Sequence, residues 1–194
     1  IVNPGHDWAP VVPPLATERP VSVLGLGILG RACAEALAGL GFPVTGWSRR
    51  AKSVAGITCR HGPDGLVETL QSAEILVLLL PDTPATQNLL DAERLALLPR
   101  GAAIVNPGRG PLIDDEALIA ALDAGQIGHA TLDVFRTEPL PAGHPFWAHP
   151  RVTVTPHIAA ATRTGSAARV IAENIRRGEA DEPLLYLVDR SAGY

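Results

Sequence analysis

From Val21 onward, short apolar runs bounded by turn-forming residues alternate with longer stretches whose apolar residues recur every three or four positions. The runs predict strands at 21–24, 43–47, 57–60, 75–80, 102–106, 130–133 and 152–155. Several have no polar break, as a parallel strand covered on both faces requires. Between them, Ala32, Cys33, Ala36, Leu37 and Leu40 share one face at the spacing of an amphipathic helix. A second helix is marked by Asp114 as N-cap, Asp115 and Glu116 in the first turn, Leu118, Ala121 and Leu122 on its apolar face, and Gly125 as its stop. A last helix over 163–177 is expected to bury Ala168, Ile171 and Ile175 and to end at Gly178. Alternation of this kind implies an α/β fold, a doubly wound parallel sheet with right-handed crossovers and helices on both faces.

Ligands of such sheets bind at the carboxyl ends of the strands. Four polar segments follow predicted strands directly: 81–84, 106–110, 133–135 and 155–157. They should therefore meet on one rim. Residues 1–20 hold five prolines and no sustained apolar period, which reads as a connecting segment before a domain at 21–178 and a tail at 179–194.

Composition narrows the function classes. The chain has 194 residues, enough for one well-cored domain, with 46% hydrophobic and 19% charged residues, ordinary for a soluble α/β protein. The apolar stretch 75–81 is too short to span a bilayer, and the opening residues lack the pattern of a signal peptide, so a cytoplasmic location is expected. A net charge of −4 argues against a nucleic-acid partner. Cys33 and Cys59 read as buried free thiols. The chain begins at Ile1 and has no Met, which leads to the expectation that it is a piece of a longer protein.

The first strand runs into Gly25-Leu26-Gly27-Ile28-Leu29-Gly30 and then into a helix-period pattern. This is a Rossmann dinucleotide fingerprint in its proper setting: Gly25 for the tight turn, Gly27 for backbone approach to a pyrophosphate, Gly30 for close helix packing. Ser48, 23 residues after Gly25, stands where an NAD-preferring fold places an acid, and Arg49 and Arg50 follow it. A hydroxyl beside guanidiniums suits a 2′-phosphate, so NADPH is favoured over NADH. Lys52, in the same basic cluster, reads as solvated surface.

Arg109, in a Gly-rich turn after a strand, is placed to grip a substrate carboxylate bidentately. His157 ends another strand behind Pro156, and Glu138 is expected to reach the same rim and keep the imidazole ready to deliver a proton. The other histidines, His6, His61, His129, His144 and His149, read as structural. His144 and His149 leave too few partners for a metal site.

Together, the glycine run, Leu80-Pro81-Asp82-Thr83-Pro84-Ala85-Thr86, Asn106-Pro107-Gly108-Arg109-Gly110, the segment from Leu132-Asp133 through Glu138-Pro139-Leu140, and Thr155-Pro156-His157-Ile158-Ala159 resemble the D-isomer-specific 2-hydroxyacid dehydrogenases. Trp47-Ser48-Arg49 and the ending from Val188 to Tyr194 resemble the glyoxylate/hydroxypyruvate reductase A branch of that family. The resemblance implies NADPH-dependent reduction of a small 2-oxo acid, with Arg109, Glu138 and His157 as the catalytic set. It implies cofactor contacts from Gly25, Gly27, Ile28, Leu29, Gly30, Ser48, Arg49, Arg50, Leu80, Pro81, Thr86, Pro107, Gly108, Arg109 and His157, with Asp133 anchoring the carboxamide.

It also implies an N-terminal substrate domain that this chain lacks, toward which 179–194 would pack, and a homodimer joined through the cofactor domain, with residues 1–14 as remains of that contact. On that view the chain alone binds NADPH weakly and turns over poorly. Pro107-Gly108 departs from many members and could re-aim Arg109. The alternative is a non-catalytic dinucleotide-binding sensor or partner protein of the same fold, which would need only the glycine turn and ribose contacts. Phosphate transfer lacks the Lys-Ser or Lys-Thr after the glycine loop, a methyltransferase would usually want an acid near Ser48, and serine hydrolysis lacks its G-x-S-x-G elbow.

Overall fold

The computed structural model describes residues 12–188. Seven strands, β1 (Val21–Leu24), β2 (Val44–Ser48), β3 (Thr58–His61), β4 (Ile75–Leu78), β5 (Ala102–Asn106), β6 (Ile127–Leu132) and β7 (Val152–Val154), form one sheet in the order β3-β2-β1-β4-β5-β6-β7. Every pairing is parallel. The helices are α1 (Ile28–Gly39), α2 (Gly62–Gln71), α3 (Ala92–Leu97), α4 (Asp115–Asp123) and α5 (Thr164–Glu179). The order reverses at β1 and β4, the switch point at which doubly wound sheets bind their ligands.

Side chains alternate across a strand, so each central strand feeds two cores. Leu24, Leu76, Leu78, Ile104 and Leu132 join Leu66 and Leu70 of α2, Leu95 of α3, and Leu118 and Leu122 of α4 on one face. Val21, Val23 and Val77 point the other way, to Ala34, Cys33 and Leu37 of α1. Asp114 caps α4 by accepting from the Ala117 amide at 3.0 Å, as the sequence predicts.

Several expectations need correction. The strands at 43–47 and 57–60 each lie one residue later, the one at 75–80 stops at Leu78, the one at 152–155 stops at Val154, and β6 begins three residues early at Ile127. Gly128 and His129 disguise that start: Gly128 lies directly against the Gly101 carbonyl, and the His129 ring meets Thr153 at 2.9 Å. The pattern does not single out α2, which opens Gly62-Pro63-Asp64-Gly65, or the six-residue α3.

On α1 the buried face is Gly30 and Ala34, with Ala32, Ala36 and Leu40 exposed. Gly30 decides this, because its contact with the Gly25 carbonyl sets how the helix is rolled on the sheet. On α5 the described residues leave Ala168, Ile171 and Ile175 exposed. Gly178 lies inside that helix. The stop is Asp181 at φ 53°, with the Glu182 amide donating to the Arg177 carbonyl at 2.8 Å, a left-handed terminus of the Schellman type.

Cys33 and Cys59 are free but only partly buried. Of the connecting segment, Arg19 pairs with Glu74 at 2.7 Å, and the Pro20 carbonyl accepts from the Glu74 and Ile75 amides. His6, most of the 1–14 stretch assigned to a dimer contact and the motif residues 189–194 lie outside the described residues.

Candidate active site

Because every strand runs the same way, the segments after β1, β4, β5, β6 and β7 all emerge on one rim. The first is the glycine turn. Gly25 takes φ 107°, and a Cβ there would sit 2.5 Å from the Leu79 carbonyl oxygen. A Cβ on Gly30 would collide with the Gly25 carbonyl. Gly27 is different: a Cβ there would meet nothing within 4 Å. Protein packing does not demand a glycine at 27, whereas a phosphate brought against the backbone does. The N-terminus of α1 has no side-chain cap and no acid in its first turn, so its free N–H groups and positive dipole end face the same opening. Ile28 and Leu29 flank it, 72% and 65% exposed. The turn therefore fits the pyrophosphate of a dinucleotide.

A cavity of about 430 Å³ adjoins this turn, lined by Leu26, Gly27, Ile28, Arg31, Lys52, Ser53 and Val54. Lys52 is not merely solvated surface: its ammonium donates to the Leu26 carbonyl at 2.7 Å. Two of its three N–H donors remain for an anion in the cavity. Ser48 is buried, and its hydroxyl donates to the Arg50 carbonyl at 2.7 Å. It shapes the loop that carries the exposed Arg49 and Arg50. After β4, Leu80 and Pro81 are half-buried, and the Thr86 hydroxyl folds its own loop, donating to Pro81 at 2.7 Å and accepting from the Thr83 amide at 2.9 Å.

After β5, the turn Pro107-Gly108-Arg109 is held by Asn106, buried at the strand end. Its side chain accepts from the Gly108 amide at 3.1 Å and donates to the Arg109 carbonyl at 2.9 Å. Gly108 lies close to the Leu78 carbonyl, and Arg109 stays exposed with Nη1 on the Gly108 carbonyl at 2.6 Å.

His157 takes the left-handed backbone at φ 53°, with its amide donating to the Asp133 carbonyl at 2.9 Å. Its Nδ1 lies 2.7 Å from Glu138 Oε2, and Glu138 Oε1 accepts from the Phe135 amide at 2.9 Å. Burial pushes the Glu138 carboxyl up, but the His157 bond, the Phe135 amide and the charges of His157 and Arg109 outweigh it, and its pKa is lowered. The carboxylate is thus ionised at neutral pH and can only accept, so Nδ1 carries the shared proton and Nε2 is left free. A second cavity, about 420 Å³ and largely apolar, opens beside this pair between Phe135, Leu140, Trp147 and Pro156.

Asp133 does more within the protein than the resemblance implies. Buried at the end of β6, its carboxylate accepts from the Thr155 hydroxyl at 2.5 Å, the Ile158 amide at 3.0 Å and the Ala159 amide at 2.9 Å. It thereby clamps the loop that aims His157. Burial raises its pKa, but these three donors and the His157 charge more than compensate, and the net shift is downward.

Because the folded-state values of Asp133 and Glu138 are depressed, their contribution to stability is present above the ordinary carboxylate range of about 4 and disappears as pH falls through the lower folded-state values. Urea midpoints measured from pH 6 down to 2 should therefore drop. The drop should flatten in Asp133→Asn; an unchanged profile in that variant would refute the clamp.

The sequence marks the meeting of Glu138 and His157, but not Asn106, Thr155 or the contact of Lys52. These depend on rotamers and loop closure, which a linear pattern does not encode.

Comparison with known proteins agrees with this fold. The NAD binding domain of D-isomer specific 2-hydroxyacid dehydrogenases matches residues 6–159. Glyoxylate/hydroxypyruvate reductase A of Yersinia enterocolitica is 42% identical over 187 residues, covering 96% of this chain and 60% of that protein. The chain thus spans about 60% of the length of such relatives. A D-isomer specific 2-hydroxyacid dehydrogenase from Xanthobacter autotrophicus, solved with NADPH and MES, is 53% identical with a TM-score of 0.92, covering 96% of this chain and 77% of that one. An NADPH-dependent glyoxylate/hydroxypyruvate reductase from Sinorhizobium meliloti, solved with NADP and sulfate, is 36% identical with a TM-score of 0.93, covering 97% and 61%. With its glycine turn, strand-end rim and paired histidine and glutamate, the chain belongs to the D-isomer specific 2-hydroxyacid dehydrogenase family, of which it carries the NAD-binding domain.

Proposed function

We propose that this chain is the cofactor-binding and proton-donating part of an NADPH-dependent reductase of small 2-oxo acids such as glyoxylate or hydroxypyruvate. The observation that carries the reading is the 2.7 Å contact between His157 and Glu138 on the rim that also presents the glycine turn and Arg109. A sensor would need the turn but not the pair.

When bound, the nicotinamide supplies the hydride to the substrate C2. Arg109 forks onto the substrate carboxylate and orients the carbonyl. His157 presents Nε2 to the carbonyl oxygen and donates the proton as negative charge develops there. Glu138 accepts from Nδ1–H and balances the charge of the doubly protonated ring, the form that has a proton at Nε2 to give, and Asp133 fixes the loop beneath it. Two relatives support the substrate class and cofactor, one named as a glyoxylate/hydroxypyruvate reductase and one as NADPH-dependent with that activity.

The preference for NADPH is supported by the absence of an acid at position 48 and by the cations Arg49, Arg50 and Lys52 around the turn. Lys52→Ala should weaken NADPH binding about tenfold, the size of one charge-assisted hydrogen bond, and leave NADH binding nearly unchanged. Fluorescence titration with both dinucleotides checks this; equal losses for the two would remove Lys52 from 2′-phosphate recognition. The reaction itself is tested in the protein at its full natural length, by following NADPH oxidation with glyoxylate and hydroxypyruvate. Absence of turnover with any 2-oxo acid would overturn the reading.

A further inference from the structure

The rim is assembled from separate strand-end segments, and something must fix each relative to the next. Backbone bonds join the segment after β4 to the one after β5: the Asn88 amide donates to the Pro111 carbonyl at 2.8 Å and the Leu90 amide to Leu112 at 3.0 Å. The Asp133 carboxylate joins the segments after β6 and β7. Between these two halves stands Arg136. Its Nη2 donates to the Asn88 side-chain oxygen and to the Ile113 carbonyl, and its Nε faces the Asp115 carboxylate at 3.7 Å. The interface is close at the backbone level as well, since any side chain on Gly110 would strike the Phe135 carbonyl.

We propose that Arg136 is the positioning residue of this site: its guanidinium locks the 135–138 turn onto the segments carrying Thr86 and Arg109, and so sets where Glu138 meets His157. The inference rests on the reductase reading for its functional consequence, but not for the tie itself. Arg136 lies inside the short turn that the Glu138 carboxylate closes on the Phe135 amide, so anchoring one residue fixes the other. A planar fork with five donors can engage an amide oxygen, a carbonyl and a carboxylate at once, which an ammonium on a flexible stem cannot do in one fixed geometry. Asp115 is half-buried, and desolvation raises its carboxyl despite the lowering effect of Arg136 and His144. A carboxylate held there at a cost fits a role in placing Arg136 rather than in adding stability.

The test uses the 194-residue chain with 13C-labelled glutamate. In the parent protein the Glu138 carboxyl should titrate below the ordinary glutamate value, held down by the His157 bond and the Phe135 amide. In Arg136→Met, which keeps the stem and removes the fork, its midpoint should rise toward about 4.3, and the Phe135 amide resonance should move with it. Arg136→Lys should restore the midpoint only in part. If Arg136→Met proves poorly folded, Asn88→Gly removes the exposed acceptor while keeping the left-handed backbone at φ 50°, and should give the same shift, smaller.

In the full-length protein, Arg136→Met should lower kcat about tenfold with KM little changed, the mark of lost positioning. A folded Arg136→Met with an unmoved Glu138 midpoint overturns the proposal. A moved midpoint supports the tie, and if Glu138→Gln then leaves reduction unaffected, it is the reductase reading that fails and not the role of Arg136.

Discussion

In the full-length protein, His157→Ala should lower kcat for reduction of a 2-oxo acid by about 10²–10⁴-fold, the usual worth of a positioned general acid, while NADPH still binds. The separation follows from where the residue sits. The imidazole hangs from the loop after β7, and the glycine turn lies between β1 and α1. No backbone or side-chain hydrogen bond among the described residues runs from His157 to that turn. Glu138→Gln should fall between the parent and His157→Ala, because an amide still accepts at Nδ1 but no longer balances the charge of the protonated ring that donates the proton. Steady-state kinetics across pH, with dinucleotide affinity measured separately, decide the matter. A His157→Ala enzyme within threefold of the parent would show that the proton comes from elsewhere.

Gly30→Ala and Gly27→Ala form the second pair, separated by their effect on stability. The first places a methyl where the Gly25 carbonyl already is, so the helix must lift off the sheet. Overpacking of this kind costs about 1–3 kcal/mol or more, and the turn proposed to receive the pyrophosphate is deformed with it. Both thermal stability and NADPH binding should fall. The second adds a methyl in open space, so the fold should be untouched while the methyl stands in the way of the phosphates. Thermal unfolding and fluorescence titration separate the two. Gly27→Ala with unchanged affinity would mean that the pyrophosphate lies elsewhere.

Much of the architecture is legible in the chain because a buried parallel sheet writes itself in unbroken apolar runs. β1 and β5 fall where the pattern puts them, since Val21–Leu24 and Ala102–Asn106 are bounded sharply by glycine and proline. The rim is legible for a topological reason, as parallel strands can only deliver their ends to one side. Legibility fails where tertiary contact outweighs local pattern. Gly128 and His129 belong to a strand because a neighbouring backbone and Thr153 accommodate them. The roll of α1 is decided by the contact at Gly30 rather than by an Ala-rich stripe with little contrast between its faces. In the site, residue type pointed to the histidine, the glutamate and the arginine, while Lys52 and Arg136 were opaque because their partners lie far along the chain, and Asn106 because its bonds to the Gly108 amide and the Arg109 carbonyl depend on the fold of the turn itself.

The uniform strand direction has a further consequence. Every turn that leads from a helix back into β2, β4, β5 or β6 lies on the margin opposite the chemistry, where Gly41, Gly101 and Gly125 supply left-handed corners. A substitution at one of these glycines strains a left-handed corner and so acts on stability, at the margin away from the glycine turn and His157. The molecule is thereby divided into a lip that gathers the polar side chains and a heel built of corners, so that damage to one should be read in ligand binding and damage to the other in stability.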